Sequence, residues 1–284
     1  MSSPTVLRRR LGGELGKLRS SRDMSAKDVA AALGWSASKL SRIESGLVSL
    51  QERDAAKLLT HYGITSPEEV KQFLKLTRQS RQQGWWHAYG DALPDWFRAY
   101  VGFEADATKI VTYQCELVPG LLQTEAYARH VIRAMNPTES TPEIERRVAL
   151  RMDRQQILER QDPPQFWAII GEAVIRRPVG DDSSMAEQLN HLATMADERP
   201  NITIQILPFA AGAHAAMGSS FSVLSFSDIP GSVAYSEATT SSTYAERPSE
   251  VARHDDTFLR LMAASVQPEK SITWLRKVAE EYEQ

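Results

Sequence analysis

The chain has a single cysteine in 284 residues, Cys115, which excludes an internal disulfide, a cysteine-based zinc site and a CxxC redox pair, and fits a reducing cytoplasm. Long apolar runs are also lacking. The stretch 200–227 carries no Asp, Glu, Lys or Arg, yet Pro208, Gly212, Gly218 and many Ser, Thr and Gln would have to sit in hydrocarbon if it crossed a membrane. Its alternating Ile202, Ile204 and Ile206 predict a buried strand, followed by a loop and a second strand. No apolar run follows Arg8-Arg9-Arg10, so neither a secretory nor a twin-arginine signal is expected. The composition, 42% hydrophobic and 24% charged, is that of a soluble globular protein, too apolar for an intrinsically disordered chain. The length suggests two domains and leaves a single large one open.

Charge is unevenly spread. Residues 1–80 carry 14 Lys+Arg against 8 Asp+Glu, a balance of +6, and the remainder carries 19 against 28, a balance of −9. A basic head on an acidic body points toward nucleic acid at one end and away from a membrane role for the body.

The head reads as five helices. Leu7, Leu11, Leu15 and Leu18 recur at helical spacing over about 5–21, despite the costly Gly12-Gly13 pair. Ser25 and Asp28 form a capping box before a short helix through Val29, Ala30 and Leu33, which Gly34 ends. Ser36 caps another short helix, carrying Leu40 and Ile43 inward and ended by Gly46. A fourth covers about 51–62, and a fifth opens at Pro67 and runs to about Gln79.

Two short helices joined through Gly34-Trp35-Ser36 have the spacing of a helix-turn-helix, in which exposed N-terminal residues of the second helix enter the major groove. The outward positions there are small, hydroxylated or basic, and no outward acid precedes Glu44. Small residues allow close approach to base edges, hydroxyls bond bases or phosphates, and Lys and Arg pair with phosphate or guanine. Spacing alone leaves open an ordinary helical hairpin with a solvated polar face.

The segment Ser36-x-x-x-x-Ser41-Arg42-Ile43-Glu44-x-Gly46, preceded by Ala30-Ala31-x-Leu33-Gly34, resembles the XRE family, the lambda- and Cro-type helix-turn-helix repressors, over about residues 6–63. The resemblance implies that Ala37, Ser38 and Arg42 face base edges. It places Ser36, Lys39 and Ser41 near phosphates or flanking bases, and Ala26 and Lys27 on the DNA backbone, and it makes Glu44 structural. Many relatives carry Gln where this chain has Ala26 and Ala37, which leaves fewer direct readout groups. One such helix with a few flanking cations makes about five phosphate contacts, and its nonspecific affinity is on the order of 10⁻⁴ to 10⁻⁶ M at physiological salt. A homodimer on a pseudo-palindromic double-stranded operator is therefore expected.

After Gln83 the composition turns aromatic, with Trp85, Trp86, Tyr89, Trp96, Phe97, Tyr100 and Phe103 interrupted by Gly84, Gly90 and Pro94. This reads as a junction over 81–104, either a packed connection or an aromatic wall for a ligand or partner. Beyond it, strands are expected at 109–114, 166–175, 201–207, 220–226 and 232–237. Helices are expected at 124–135, 142–161, from a Ser184–Glu187 capping box onward, and at 249–264 and 270–282. The last three strands lie close in sequence, which favours antiparallel pairing. The arginines Arg146, Arg147, Arg151, Arg154 and Arg160 alternate with acids and read as a solvated, salt-bridged face. The expected fold class is α+β: a five-helix lambda-repressor-like head over 1–80, and a mixed α+β domain with a largely antiparallel sheet over 105–284.

The body resembles the domain that follows an XRE head in actinobacterial regulators of the WhiJ/AbaA-like group. The match rests on Glu116-x-Val118-Pro119-Gly120-Leu121-Leu122-Gln123-Thr124-x-x-Tyr127-Ala128-Arg129, on Glu172-x-x-x-Arg176-Arg177-Pro178-x-Gly180, on Leu207-Pro208-Phe209 with Gly212-x-His214, and on Tyr235-x-Glu237. It extends over about 84–281. Relatives usually show an acid where this chain has Gly171. The resemblance implies an antitoxin-like, cytoplasmic and nucleoid-associated transcriptional regulator of development or antibiotic production, encoded beside a small acidic partner protein. Trp85, Trp86, Gln123, Tyr127, Glu172, His214 and Glu237 are the candidate partner- or ligand-binding residues. An interaction protein acting mainly through its partner is the alternative. Cys115, His191, His214, Glu172 and Glu237 could supply nucleophilic or acid–base chemistry, but there is no nucleophile elbow, phosphate loop, dinucleotide fingerprint or HExxH. No catalytic residue, cofactor or metal is expected.

Overall fold

The computed structural model describes residues 2–227 and 229–283, apart from the side chain of Asp95. They form two compact units, one of 2–88 with 229–230 and the other of 89–227 and 231–283.

The first unit consists of α1 (Pro4–Ser20), α2 (Ala26–Ala32), α3 (Ala37–Glu44), α4 (Glu52–His61) and α5 (Pro67–Ser80). Ser3, Ser25, Ser36 and Ser66 each accept a backbone N–H at the start of α1, α2, α3 and α5, satisfying donors that a helix N-terminus leaves open. The core gathers Leu11 and Leu15 of α1, Val29 and Ala30 of α2, Leu40 and Ile43 of α3, and Leu58 and Leu59 of α4. Gly12 sits where no side chain fits, since a Cβ there would lie 2.4 Å from the carbonyl oxygen of Ile43 and 2.5 Å from that of Glu44. The missing side chain lets α1 approach the end of α3, which accounts for a glycine inside a helix.

The second unit is built on one six-stranded sheet in the order β3-β2-β1-β4-β5-β6. Its elements in chain order are α6 (Asp95–Glu104), β1 (Lys109–Gln114), α7 (Glu125–Met135), α8 (Thr141–Gln155), β2 (Gln165–Gly171), α9 (Glu172–Arg176), α10 (Asp182–Glu198), β3 (Ile202–Leu207), β4 (Phe221–Ser225), β5 (Ser232–Ala238), β6 (Ser241–Ala245), α11 (Pro248–Ala264) and α12 (Pro268–Tyr282). Val111, Tyr113, Ile169 and Val223 meet Val251, Phe258 and Leu261 of α11 on one face of the sheet. The α+β class holds, and three of the five strand pairings are antiparallel.

Four local expectations are corrected. The strand at 202–207 does not pair with the strand at 221–225; it lies at the far edge, parallel to β2, because α10 carries the chain back over the sheet before β3 begins. The apolar run after Phe166 ends as a strand at Gly171 and turns into α9, a change that a short apolar run does not reveal. Asp181, not Ser184, caps α10, accepting from Ser184 N at 2.8 Å, and Ser184 is buried inside the helix. β6 is an additional strand of Ser, Thr and Tyr with no apolar alternation.

Of the five arginines read as a solvated, salt-bridged face, Arg146 is exposed and Arg147 is salt-bridged, but Arg151 and Arg160 are half-buried and Arg154 is buried, and their partners are not the interleaved acids. Arg154 pairs with Glu104 of α6, Arg147 with Glu139, and Arg160 donates to the carbonyls of Ala105 and Ala107. The acids expected to face them are engaged elsewhere: Glu145 with Arg129, Asp153 with the Tyr89 hydroxyl, and Glu159 with Arg199. Of the aromatic segment, Phe97 and Tyr100 stack on each other at 5.1 Å, and Tyr100 meets Tyr235 of β5 at 4.3 Å, so α6 belongs to the packing of the second unit.

Candidate nucleic-acid interface

The turn between α2 and α3 is fixed by backbone chemistry. Gly34 adopts φ +66°, a region that favours glycine, and Trp35 N donates to Ala30 O at 2.7 Å while Gly34 N donates to Ala31 O at 3.1 Å. Two residues later Ser36 Oγ accepts from Lys39 N at 3.1 Å and starts α3. Gly46, at φ +65°, ends α3, and Leu47 N donates back to Arg42 O at 2.9 Å. A Cβ on Gly46 would also meet Arg9 Cα at 2.7 Å, so α1 packs against this turn as well.

This frame sorts the residues of α3 cleanly. Leu40 and Ile43 are buried, and Ser36, Ala37, Ser38, Lys39, Ser41 and Arg42 are exposed. On α2, Lys27 is exposed and Ala26 half-buried, and Asp28 is tied to the Ser25 cap at 2.7 Å. The Arg42 and Lys27 side chains make no ion pair among the described residues, so both charges face water. Small, hydroxylated and basic groups thus share one exposed surface, the chemistry that lets a helix approach base edges and phosphates.

Lys39 differs from its neighbours. Its ammonium sits 3.1 Å from Asp54 Oδ2 of α4 and 3.9 Å from the centre of the Trp35 ring. It is held against the scaffold and joins α3 to α4, a role that Trp35 and Asp54 do not announce in sequence. Glu44 is structural, as the resemblance implies: Arg19 clasps it through Nε at 2.7 Å and Nη2 at 3.0 Å. That bidentate contact holds the Arg19 guanidinium above its ordinary pKa.

The candidate residues of the second unit take several roles. Gln123 is buried, donating to Val118 O at 2.7 Å and accepting from Arg151 Nη1 at 2.7 Å. Tyr127 is fully buried, and its hydroxyl accepts from Val118 N at 3.3 Å. Both brace the 116–124 loop from within, and their burial removes them from any exposed partner surface. Glu172 accepts from Arg176 Nε at 2.9 Å and Phe209 N at 2.8 Å, and Glu237 accepts from the Tyr235 hydroxyl at 2.9 Å. His214 is half-buried, with Nε2 3.3 Å from the Tyr113 hydroxyl and Nδ1 accepting from Ala216 N at 3.2 Å. Burial beside Cys115 pushes the Tyr113 phenol up to about 12. Cys115 lies just past β1 rather than within it, half-buried, with Sγ 3.3 Å from Ser220 Oγ. His191 is half-buried, and desolvation lowers its pKa. In the first unit Trp86 is buried and Trp85 is 42% exposed, with the two rings 5.9 Å apart in a T-shape.

The strand directions reveal a pattern that the sequence hides. β1, β2 and β3 are parallel, so their carboxyl ends share one edge, where β4 begins and β5 ends. Glu116, Glu172, Phe209, Ser220 and Glu237 are all delivered there. At Gly171 an added Cβ would make only ordinary contact, 3.6 Å from Cys115 Cα, so the backbone leaves room for a side chain at that edge. Phe209 and Met217, 64% and 69% exposed, stand on the loop between β3 and β4.

Among the described residues no group of three or more His, Cys, Asp or Glu could hold a metal ion, and no helix is long and apolar enough to cross a membrane. No curated protein and no solved structure matches the chain. Residues 10–73 match the family model described as a helix-turn-helix domain. The model described as a domain of unknown function (DUF5753) matches residues 97–277, more than half of the length. A helix-turn-helix head is thus joined to a body of that second kind, and the chain belongs to the DUF5753 family.

Proposed function

We propose that the protein is a sequence-specific, DNA-binding transcriptional regulator of the WhiJ/AbaA-like group, acting as a cytoplasmic homodimer on a pseudo-palindromic operator. It is not an enzyme in this reading. The observation that supports it is the outer face of α3, where Ala37, Ser38, Ser41 and Arg42 are exposed and Arg42 is uncommitted, over a buried Leu40 and Ile43. A monomer would hold one half-site through too few cations for useful specificity, hence the dimer. The second unit binds a signal or the small acidic protein encoded nearby, and the processes controlled are development or antibiotic production.

The exposed Phe209 and Met217 favour a second reading, an antitoxin-like interaction protein whose effects run mainly through its partner. Selection of bound sequences from random duplex DNA, with and without the neighbouring protein, separates the two. A regulator enriches a two-fold symmetric motif with salt-dependent affinity. Absence of any salt-dependent DNA binding overturns the regulator reading and leaves the interaction protein.

A further inference from the structure

At the flank of α3 two cations from different helices, Lys39 of α3 and Arg53 of α4, meet at the two oxygens of one carboxylate, Asp54. They are held unequally. Lys39 Nζ donates to Oδ2 at 3.1 Å and also sits 3.9 Å from the centre of the Trp35 ring. Arg53 Nε stands 3.8 Å from Oδ1, beyond hydrogen-bond distance. The Asp54 side chain is withdrawn from water at 13% exposure, whereas that of Arg53 is 84% exposed. The other acid in the first turn of α4 is turned to a different neighbour, with Glu52 Oε2 3.7 Å from Arg78 Nε of α5. Lys57, one turn along α4 from Arg53, is exposed and forms no ion pair among the described residues, so it adds positive potential to the same face.

The two cations differ in what it takes to move them. Releasing Lys39 breaks a charge-assisted bond and a cation–π contact, and leaves a half-buried carboxylate without its nearest partner. A phosphate that came to Lys39 would also approach the negative charge of Asp54. Releasing Arg53 forfeits only a long, solvated contact that contributes little. Its planar guanidinium also matches two phosphate oxygens at once.

We propose that Asp54 divides the labour at this flank: it withholds Lys39 from DNA and leaves Arg53, on its other oxygen, to bind the phosphate beside the groove that α3 enters. The inference rests on the reading of α3 as a recognition helix. It moves the flanking phosphate contact from Lys39, where the family resemblance puts it, to a residue of α4. Arg53 touches the nucleic acid, and Asp54 is a positioning residue that acts through Lys39.

Salt dependence of duplex binding tests this, because each cation paired with a phosphate adds about 0.9 to the slope of log affinity against log salt. The full chain is titrated over a salt series with a duplex recovered by selection and with a scrambled duplex of equal length. Arg53→Gln should lower the slope by about 0.9 and weaken binding about fivefold or more at about 0.1 M salt, equally on both duplexes. Lys39→Gln should leave the slope unchanged. Asp54→Asn should raise it by about 0.9 as the freed ammonium reaches a phosphate, and the rise should vanish when Lys39→Gln is added. An unchanged slope in Arg53→Gln overturns the phosphate contact. A slope lowered by Lys39→Gln, an unchanged slope in Asp54→Asn, or a rise that survives in the double variant overturns the role of Asp54. Arg53 lies on the surface, so its variant keeps the proposal decidable, and Lys39→Met or Asp54→Ser replaces a variant that loses cooperative unfolding. If Arg42→Ala weakens binding and Arg53→Gln does not, the recognition-helix reading stands and this proposal falls. If the parent binds neither duplex in a salt-dependent way, both fall.

Discussion

Arg19 of α1 and Glu44 at the end of α3 form a two-pronged ion pair across 25 residues of sequence, and Arg19 Nη1 adds a bond to Met24 O at 2.8 Å. One guanidinium therefore ties together the first helix, the loop before α2 and the last turn of α3. Glu44→Ala should destabilise the first unit by about 2 kcal/mol, since both side chains are largely withdrawn from water and the loss leaves a half-buried cation. Denaturant unfolding of the variant checks this, and a change below about 0.5 kcal/mol would show that the clasp is dispensable.

Neighbouring glycines should respond in opposite senses. Gly12→Ala drives a methyl into backbone carbonyls and should cost about 1–3 kcal/mol. Gly13 is exposed with nothing within 4 Å of an added Cβ, so Gly13→Ala should stabilise α1 by about 0.5–1 kcal/mol. Melting curves of the two variants decide it.

On α3, Arg42→Ala should leave stability within about 0.5 kcal/mol of the parent. It should weaken operator binding by about 1–3 kcal/mol and, if the contact is to phosphate, lower the salt slope by about 1. Lys39→Ala should also disturb the fold, because it removes the partner of Asp54. Fluorescence anisotropy over a salt series, paired with unfolding of each variant, separates reading from bracing. Unchanged affinity and sequence preference in Arg42→Ala would show that α3 is not the recognition helix.

The buried Glu104–Arg154 pair calls for a double-mutant cycle. Glu104→Leu alone strands a buried guanidinium and should cost about 3–5 kcal/mol, whereas combining it with Arg154→Met should recover most of that loss. Equal losses in the single and double variants would mean that the pair contributes more than mutual charge compensation.

Acid should loosen two helix starts. Glu143 accepts from Ser140 Oγ and N at 2.7 Å, and Asp181 is held by Ser184 in the same manner. Those bonds keep both carboxyls below their ordinary values. A depressed folded pKa contributes stability above the unfolded value, about 4, and that stability is lost as pH falls through the lower folded value. NMR titration should show both groups ionising below their free values, and Glu143→Gln should remove its share of the acid sensitivity of α8.

Much of the first unit was legible because its signals are local: Ser25 and Ser36 cap, Gly34 and Gly46 end helices, and Leu40 and Ile43 face inward, all within a few residues. The same local spacing set which positions of α3 face outward, and the resemblance to helix-turn-helix repressors assigned Ala37, Ser38 and Arg42 to base edges. Lys39 escaped that reading because Asp54, which restrains it, lies on another helix 15 residues away. In the second unit the strand at 109–114 was plain from β-branched and aromatic residues, but its neighbours were not. Pairing β3 with β2 instead of β4 depends on where α10 returns the chain. The clasp of Arg154 on Glu104 spans 50 residues, and no spacing rule distinguishes it from the nearer acids of α8.

Among the described residues β1 is the earliest strand, and it alone has a parallel neighbour on one side and an antiparallel neighbour on the other. During synthesis β2 follows β1 and β3 follows β2, extending the sheet in one direction through helical crossovers. The opposite flank of β1 waits until β4, beginning at Phe221, leaves the ribosome. A nascent chain stopped near residue 210 therefore presents a row of unmatched amides and carbonyls along β1, a natural handle for chaperones and a point of vulnerability to premature pairing.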